Sequence, residues 1–377
     1  MPYPWRGACA LIIALLALST GEVALAQATR DDNQAARSRQ WPLAAGRHGC
    51  WSSPPSQTVE EALKVAANPT AEERWRQAAH VGAERHVLLL SGGSLKAAYA
   101  AGLVVGWGET GNRPRFAAIT AVGMSALVAP FAFIRPAGDR IIADIFNCPA
   151  GNLSGMVERA VSYLDDGLLE AIAREHDAGR RLLVALTGSP ARAEAVWDIG
   201  RIAASRHPKA GALIRRVLLA VVDEQAFVDP KDAPIKAGQV VARNFTFRTL
   251  GAGAQFLFPS EVTQLSGSDA RYYLIHNAGV FPDESADYIR ARTDKDDRHA
   301  DAQAIVPAYD IVRHSLATNA RLQVASIKLG LGLTPQAPFD MAYVKALFSY
   351  AYRQGRMGKE WKSTFPGLTD VMAKSRP

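Results

Sequence analysis

The chain has 377 residues, 48% of them hydrophobic and 21% charged, which suits one large folded domain with extensions and excludes a low-complexity or disordered protein. Its formal net charge of +7 comes from cations scattered among acids, with no basic run interleaved with aromatics, so no nucleic-acid partner is expected. Beyond the N-terminus no stretch approaches the roughly 18–20 apolar residues that span a bilayer.

The first element reads as an export signal. Arg6 supplies a positive flank, Ala8 to Leu18 a short apolar core, and Ala24-Leu25-Ala26 a small-x-small cleavage site before Gln27. Residues 1–26 are therefore expected to be a signal peptide cleaved near Ala26, leaving a periplasmic or secreted chain without a cysteine at the cut for lipid attachment. Cleavage removes Cys9 and leaves Cys50 and Cys148, which either pair in an oxidising compartment or stay as two thiols. His48 stands close to Cys50, but no second Cys/His pair at ligand spacing completes a metal site. Neither a metal nor an organic cofactor is expected.

Residues 27–85 form an N-terminal arm with two helices. The stretch 27–50 is polar and irregular, Thr58 to Ala66 has a helical pattern broken at Asn68-Pro69, and Thr70 with Glu73 begins a second helix as a capping box.

The core is expected over residues 86–285. An apolar strand, Val87 to Leu90, runs into Ser91-Gly92-Gly93-Ser94 and then a small-residue helix from Ala97 to Val105. A second strand, Ala117 to Val122, meets Gly123-Met124-Ser125-Ala126-Leu127. Further on come an amphipathic helix over 154–178, with Leu164, Leu168, Leu169 and Ile172 on one stripe, and a buried strand from Arg181 to Thr187. A helix over 208–222 follows, then a final apolar strand from Tyr272 to His276, stopped by Asn277-Ala278-Gly279. Strands alternating with helices predict an α/β fold whose mainly parallel sheet is covered by helices on both faces. Residues 286–377 form a C-terminal extension: a charged solvated loop over 286–303, then two helical patterns between Val306 and Leu347 that pack on the core.

Strand, glycine-rich turn, helix, strand, sharp turn, helix is the order in which an acyl hydrolase sets an oxyanion hole beside a nucleophile elbow. Backbone N–H groups of Gly92, Gly93 and Ser94 at a helix N-terminus would face any anion formed there, and no particular side chain is needed for that. The plainer reading, two glycines that allow a tight turn, stands beside it.

Two segments resemble a known family. Leu90 to Gly102 resembles the glycine-rich stretch of bacterial patatin-like phospholipases, and Ile119 to Ile134 resembles the segment that carries their nucleophile. The similarity continues through Glu175 to Val184, Val196 to Ala204, His207 to Ala210, Arg215 to Ala220 and Pro338 to Phe348, so it covers most of the chain after residue 85. It implies a three-layer patatin-like α/β fold and a lipid acyl hydrolase ancestry. Family members use a Ser–Asp dyad, serine attacking an ester and aspartate serving as base.

The dyad positions are changed here. With Val122 and Ala126 to Pro130 in register, the serine position falls on Gly123, the next residue on Met124 and the second glycine on Ser125. A shift of two residues makes Ser125 the nucleophile, at the cost of Leu127 where a glycine belongs. The family's late Asp-Gly-Gly or Asp-Gly-Ala string is missing; counted back from Phe256 to Pro259 its aspartate falls near Arg248, which cannot accept a proton at neutral pH. Val221 to Ala226 also replaces a small-residue turn. His176, His207 and His276 are the substitute bases to weigh.

Two readings result. In the first the chain is an exported patatin-like protein that has lost its dyad and keeps lipid or acyl binding. In the second it is an active serine esterase or phospholipase with Ser125 as nucleophile and an unidentified base. Expected partners are a lipid or acyl ester and an anionic membrane surface.

Overall fold

The computed structural model describes residues 85–134, 137–186, 196–223, 226–236, 240–242, 245–250, 254–259, 270–277, 321–328 and 331–363. The signal segment, the arm with its two helices and the loop expected over 286–303 lie outside these residues.

Eight strands are described: β1 (Arg85–Leu90), β2 (Ala118–Val122), β3 (Arg181–Ala185), β4 (Val196–Asp198), β5 (Phe245–Leu250), β6 (Ala254–Pro259), β7 (Ala270–His276) and β8 (Arg321–Ser326). Six of them form one sheet in the order β4-β3-β2-β1-β7-β8, parallel throughout except for β4, which runs antiparallel along β3. β5 and β6 form a separate antiparallel hairpin. The protein is thus an α/β fold with a mostly parallel central sheet. Burial on both faces explains why the central strands read as unbroken apolar runs: Val87, Leu88, Leu89 and Leu90 are all fully buried.

The described helices are α1 (Ala97–Glu109), α2 (Ala129–Phe133), α3 (Ala137–Asn147), α4 (Leu153–Ser162), α5 (Asp166–Asp177), α6 (Ile199–Ala204), α7 (Ala210–Leu219) and α8 (Met341–Met357). Their apolar residues join one core with Leu88, Leu90, Ile119, Ala121, Leu182, Val184 and Ile275 of the sheet. On the opposite face Val122, Leu183, Ala185 and Val196 pack against Leu257 of β6. The hairpin is fastened there by Gly92 N donating to Gln255 O at 2.7 Å and by Thr120 Oγ1 donating to Leu257 O at 2.8 Å.

α1 is buried on every side from Ala97 to Trp107. It lies against α8 with backbones nearly touching, since a Cβ on Gly102 would strike Phe348 O and one on Gly106 would strike Tyr352 O. Arg180, just before β3, ties three segments together. Its guanidinium donates to Phe116 O at 2.6 Å and Phe133 O at 2.7 Å, pairs with Glu175 at 2.9 Å, and lies 4.1 Å over the Phe133 ring.

Two expectations are corrected. The helix expected over 154–178 is two helices, because Asp165 accepts from Leu168 N at 2.8 Å and restarts the helix after Tyr163. The strand over 272–276 is not the last: β8 follows it in the sheet, inside the stretch read as helical. Of the two helical patterns expected there, α8 is one, and residues 306–320 lie outside the described residues. The hairpin β5–β6 had no counterpart in the periodicity.

Cys148, directly after α3, is disulfide-bonded. No described helix is long and apolar enough to cross a membrane.

Candidate functional site

Two turns meet where the parallel strands β1 and β2 end side by side, with Leu90 opposite Ala121. Carboxyl ends of neighbouring parallel strands are where α/β folds place their ligands. After β1 the chain passes through Ser91, Gly92 and Gly93 into a short 3-10 turn, Ser94–Lys96, that leads straight into α1. Gly93 has φ +143° and Ser94 φ +50°. A side chain at Gly93 would also stand 2.8 Å from Asn277 Cβ, so glycine is required there twice over. The N–H groups of Gly93 and Ser94 meet no acceptor among the described residues, and Ser94 and Lys96 are exposed at the rim. Such a turn at the start of a long helix can receive an anion through backbone donors alone.

After β2 the chain turns at Gly123, with φ +55°, into a 3-10 turn over Gly123–Leu127 and then α2. Every residue of that turn is buried. The sharply bent position directly after the strand is where a nucleophile elbow holds its reactive side chain. Here that position has none.

Ser125 lies two residues further on and is fully buried. Its hydroxyl donates to Ser91 O at 2.7 Å and accepts from Asn277 Nδ2 at 2.9 Å. Asn277 Nδ2 also donates to Ser91 O at 2.7 Å, Asn277 N donates to Ser91 Oγ at 2.8 Å, and Ser91 Oγ donates to Gly92 O at 3.1 Å. Asn277 Oδ1 accepts from Ala100 N in the first turn of α1 at 3.2 Å. The end of β1, the turn after β2, the end of β7 and the start of α1 are thus sewn together through three polar side chains. The proton of Ser125 is directed at a peptide carbonyl, which is no base at neutral pH.

Among the described residues, none of the three candidate histidines is bonded to Ser125. His276 is buried at the end of β7, in register with Ser326, and makes no bond to Ser125. His176 stands at the end of α5 with Nδ1 3.8 Å from Asp198 Oδ1, and burial lowers its pKa while Asp198 acts in the opposite sense. His207 accepts from Lys209 N at 3.1 Å in the turn before α7. Arg248 is on β5 at the register position opposite Phe256, in the hairpin whose second strand docks on Gly92. Of the residues singled out in the sequence, the structure brings together Gly92, Gly93, Ser94, Gly123 and Ser125. It adds Ser91 and Asn277, which sequence reasoning passed over. One signal was available: a polar amide directly after an apolar strand, at the end of the sheet where ligands bind.

Among the described residues no group of three or more His, Cys, Asp or Glu side chains is arranged to hold a metal ion. Comparison with models of known protein families and with curated proteins finds no match to the chain.

Proposed function

We propose that this protein is a patatin-like, three-layer α/β homologue of lipid acyl hydrolases whose catalytic dyad has been lost, and that it is exported and binds lipid or fatty acyl groups without turning over esters. The observation that carries this reading is Gly123. It holds the bent position after β2 with φ +55° and offers no hydroxyl, beside a glycine turn in which Gly92 N is taken by Gln255 O while the N–H groups of Gly93 and Ser94 meet no acceptor among the described residues. Ser125, the other candidate nucleophile, is fully buried and bonded to Ser91 O and Asn277 Nδ2, with no base bonded to it among the described residues. A carboxylate or ester carbonyl set in the Gly93–Ser94 turn would gain backbone hydrogen bonds but meet no attacking group. The disulfide at Cys148 supports an oxidising compartment, and so a periplasmic or secreted location.

The test is a fluorophosphonate probe followed by peptide mapping, with p-nitrophenyl esters of several chain lengths assayed beside it. The purified protein should take up no probe and hydrolyse esters no faster than its Ser125→Ala variant. Loss of nucleophile and base together removes about 10⁶-fold of rate, so the outcomes are far apart. Probe found on Ser125, with turnover that the Ser125→Ala change abolishes, would replace this reading with that of an active serine esterase.

A further inference from the structure

The end of α8 and the segment after it carry charge and apolar surface that the site described above does not use. From Met341 to Ser363 the chain holds five cations and a single acid, Glu360. That acid is withdrawn from the surface: Glu360 is 5% exposed, faces the Tyr99 hydroxyl at 3.4 Å and pairs with Lys328 at 3.2 Å. Arg353, Arg356, Lys359 and Lys362 are all exposed. Only Arg356 has an ion pair among the described residues, 3.6 Å from Glu109, so Arg353, Lys359 and Lys362 face solvent uncompensated.

Two further facts separate this patch from an ordinary helix end decorated with cations to complement its dipole. Met357, one turn after Arg353, is 52% exposed, and it is the one large hydrophobic side chain exposed among the described residues. The segment that follows is also fixed. Gly358 ends α8 in the left-handed conformation, and the backbone of Lys362 exchanges bonds of 2.8 and 2.9 Å with Val324 of the edge strand β8. The cations therefore stand on one short, fixed stretch of chain on either side of an exposed apolar side chain, which is the composition of a surface that rests on anionic headgroups and dips a side chain among them.

We propose that this face, formed by Arg353, Arg356, Met357, Lys359 and Lys362, docks the protein on an anionic lipid surface. The proposal is independent of the reading given to the Gly93 turn, because headgroup charge rather than acyl chemistry is what it recognises.

The experiment is co-sedimentation of the full-length protein with vesicles of phosphatidylcholine, with and without a third of phosphatidylglycerol, at about 0.1 M salt, where charges interact over about 10 Å. Binding should require phosphatidylglycerol and be released by high salt. A cation near such a surface is worth about fivefold in partitioning, so the combined variant Arg353→Gln, Lys359→Gln, Lys362→Gln should lose about a hundredfold. All three side chains are exposed, and unchanged circular dichroism and melting would exclude misfolding. Met357→Ser should weaken vesicle binding severalfold and leave any binding to double-stranded DNA unaltered. The proposal fails if vesicles bind without regard to phosphatidylglycerol, if the triple variant binds as well as the parent, if Met357→Ser is without effect, or if DNA binds as tightly as the anionic vesicles.

Discussion

Asn277 Nδ2 stands 2.9 Å from Ser125 Oγ across 152 residues of sequence, and both groups converge on Ser91 O. An asparagine in this place cannot take a proton as a carboxylate could. It gives hydrogen bonds to the two oxygens and leaves the serine as an acceptor and a structural donor. The contact makes Ser125 part of the frame that holds the two turns together.

The frame predicts unequal costs for removing its members. Ser125→Ala deletes one of two donors to Ser91 O and should cost about 1 kcal/mol, with no change in whatever hydrolysis is measured. Asn277→Leu strips donors from Ser91 O and Ser125 Oγ and the acceptor from Ala100 N, and should cost about 3 kcal/mol. Urea unfolding midpoints of the two variants would decide the matter. Equal losses would mean that Asn277 is not the hub.

The packing of α1 on α8 makes a second prediction. A methyl group on Gly106 has nowhere to go, since Tyr352 O occupies its place and both backbones are held by buried neighbours. Gly106→Ala should destabilise by about 2–3 kcal/mol, although alanine is the better helix former. Gly155, near the start of α4, is the control: an added Cβ would meet only Asn152 Oδ1 at 3.6 Å. Gly155→Ala should therefore stabilise, by about 0.5–1 kcal/mol. Thermal melting of both variants gives the signs, and a neutral or stabilising Gly106→Ala would contradict the close approach.

A third prediction concerns acid. Burial lowers the pKa of His176 from its ordinary 6.5, more than the opposing attraction of Asp198 raises it. The unfolded chain then binds a proton at this site before the folded protein does, so stability must fall as pH drops. The contribution is complete above 6.5, declines through 6.5 toward the lower folded value, and is constant below that. His176→Gln should flatten this part of the pH profile. Identical slopes of the urea midpoint between neutral and mildly acidic pH in parent and variant would show that His176 is not its source.

What could be read from the sequence followed how local its cause was. The turns at Gly92-Gly93 and Gly123 are visible because each follows a short apolar run directly, and the positive φ values at Gly93 and Gly123 are conditions that glycine meets without strain. The strand β8 was hidden because it is an edge: Arg321 is exposed and Gln323 half-buried, so Arg321 to Ser326 lacks the apolar continuity of the inner strands. Asp165 gave a local sign that the helix over 154–178 would break, yet the apolar stripe ran on across the break and concealed it. Asn277 was illegible as a partner of Ser125 for a different reason. Its role depends on β7 lying next to β1, a pairing no spacing in the sequence records. The hairpin β5–β6 likewise owes its place to Gly92 and Thr120 on the sheet rather than to its own pattern.

The last prediction is a repair. On the reading proposed above, the missing nucleophile belongs at Gly123 and the missing base at Arg248. A serine at 123 must adopt φ near +55°, a left-handed conformation that costs about 1–2 kcal/mol, and a folded scaffold of this size can bear that. Gly123→Ser alone should stay inert, because a hydroxyl without a base is a poor nucleophile at neutral pH. Arg248→Asp alone should stay inert as well, having nothing to deprotonate. The pair acts as a unit, so only the double variant should acquire the fluorophosphonate label, on residue 123, together with slow ester hydrolysis. Ser125 is best left in place, since its bond to Ser91 O holds the turn that must present the new hydroxyl. A double variant that folds, keeps the parent's melting behaviour within a few degrees and takes up no label would show that Arg248 does not occupy the position of the base.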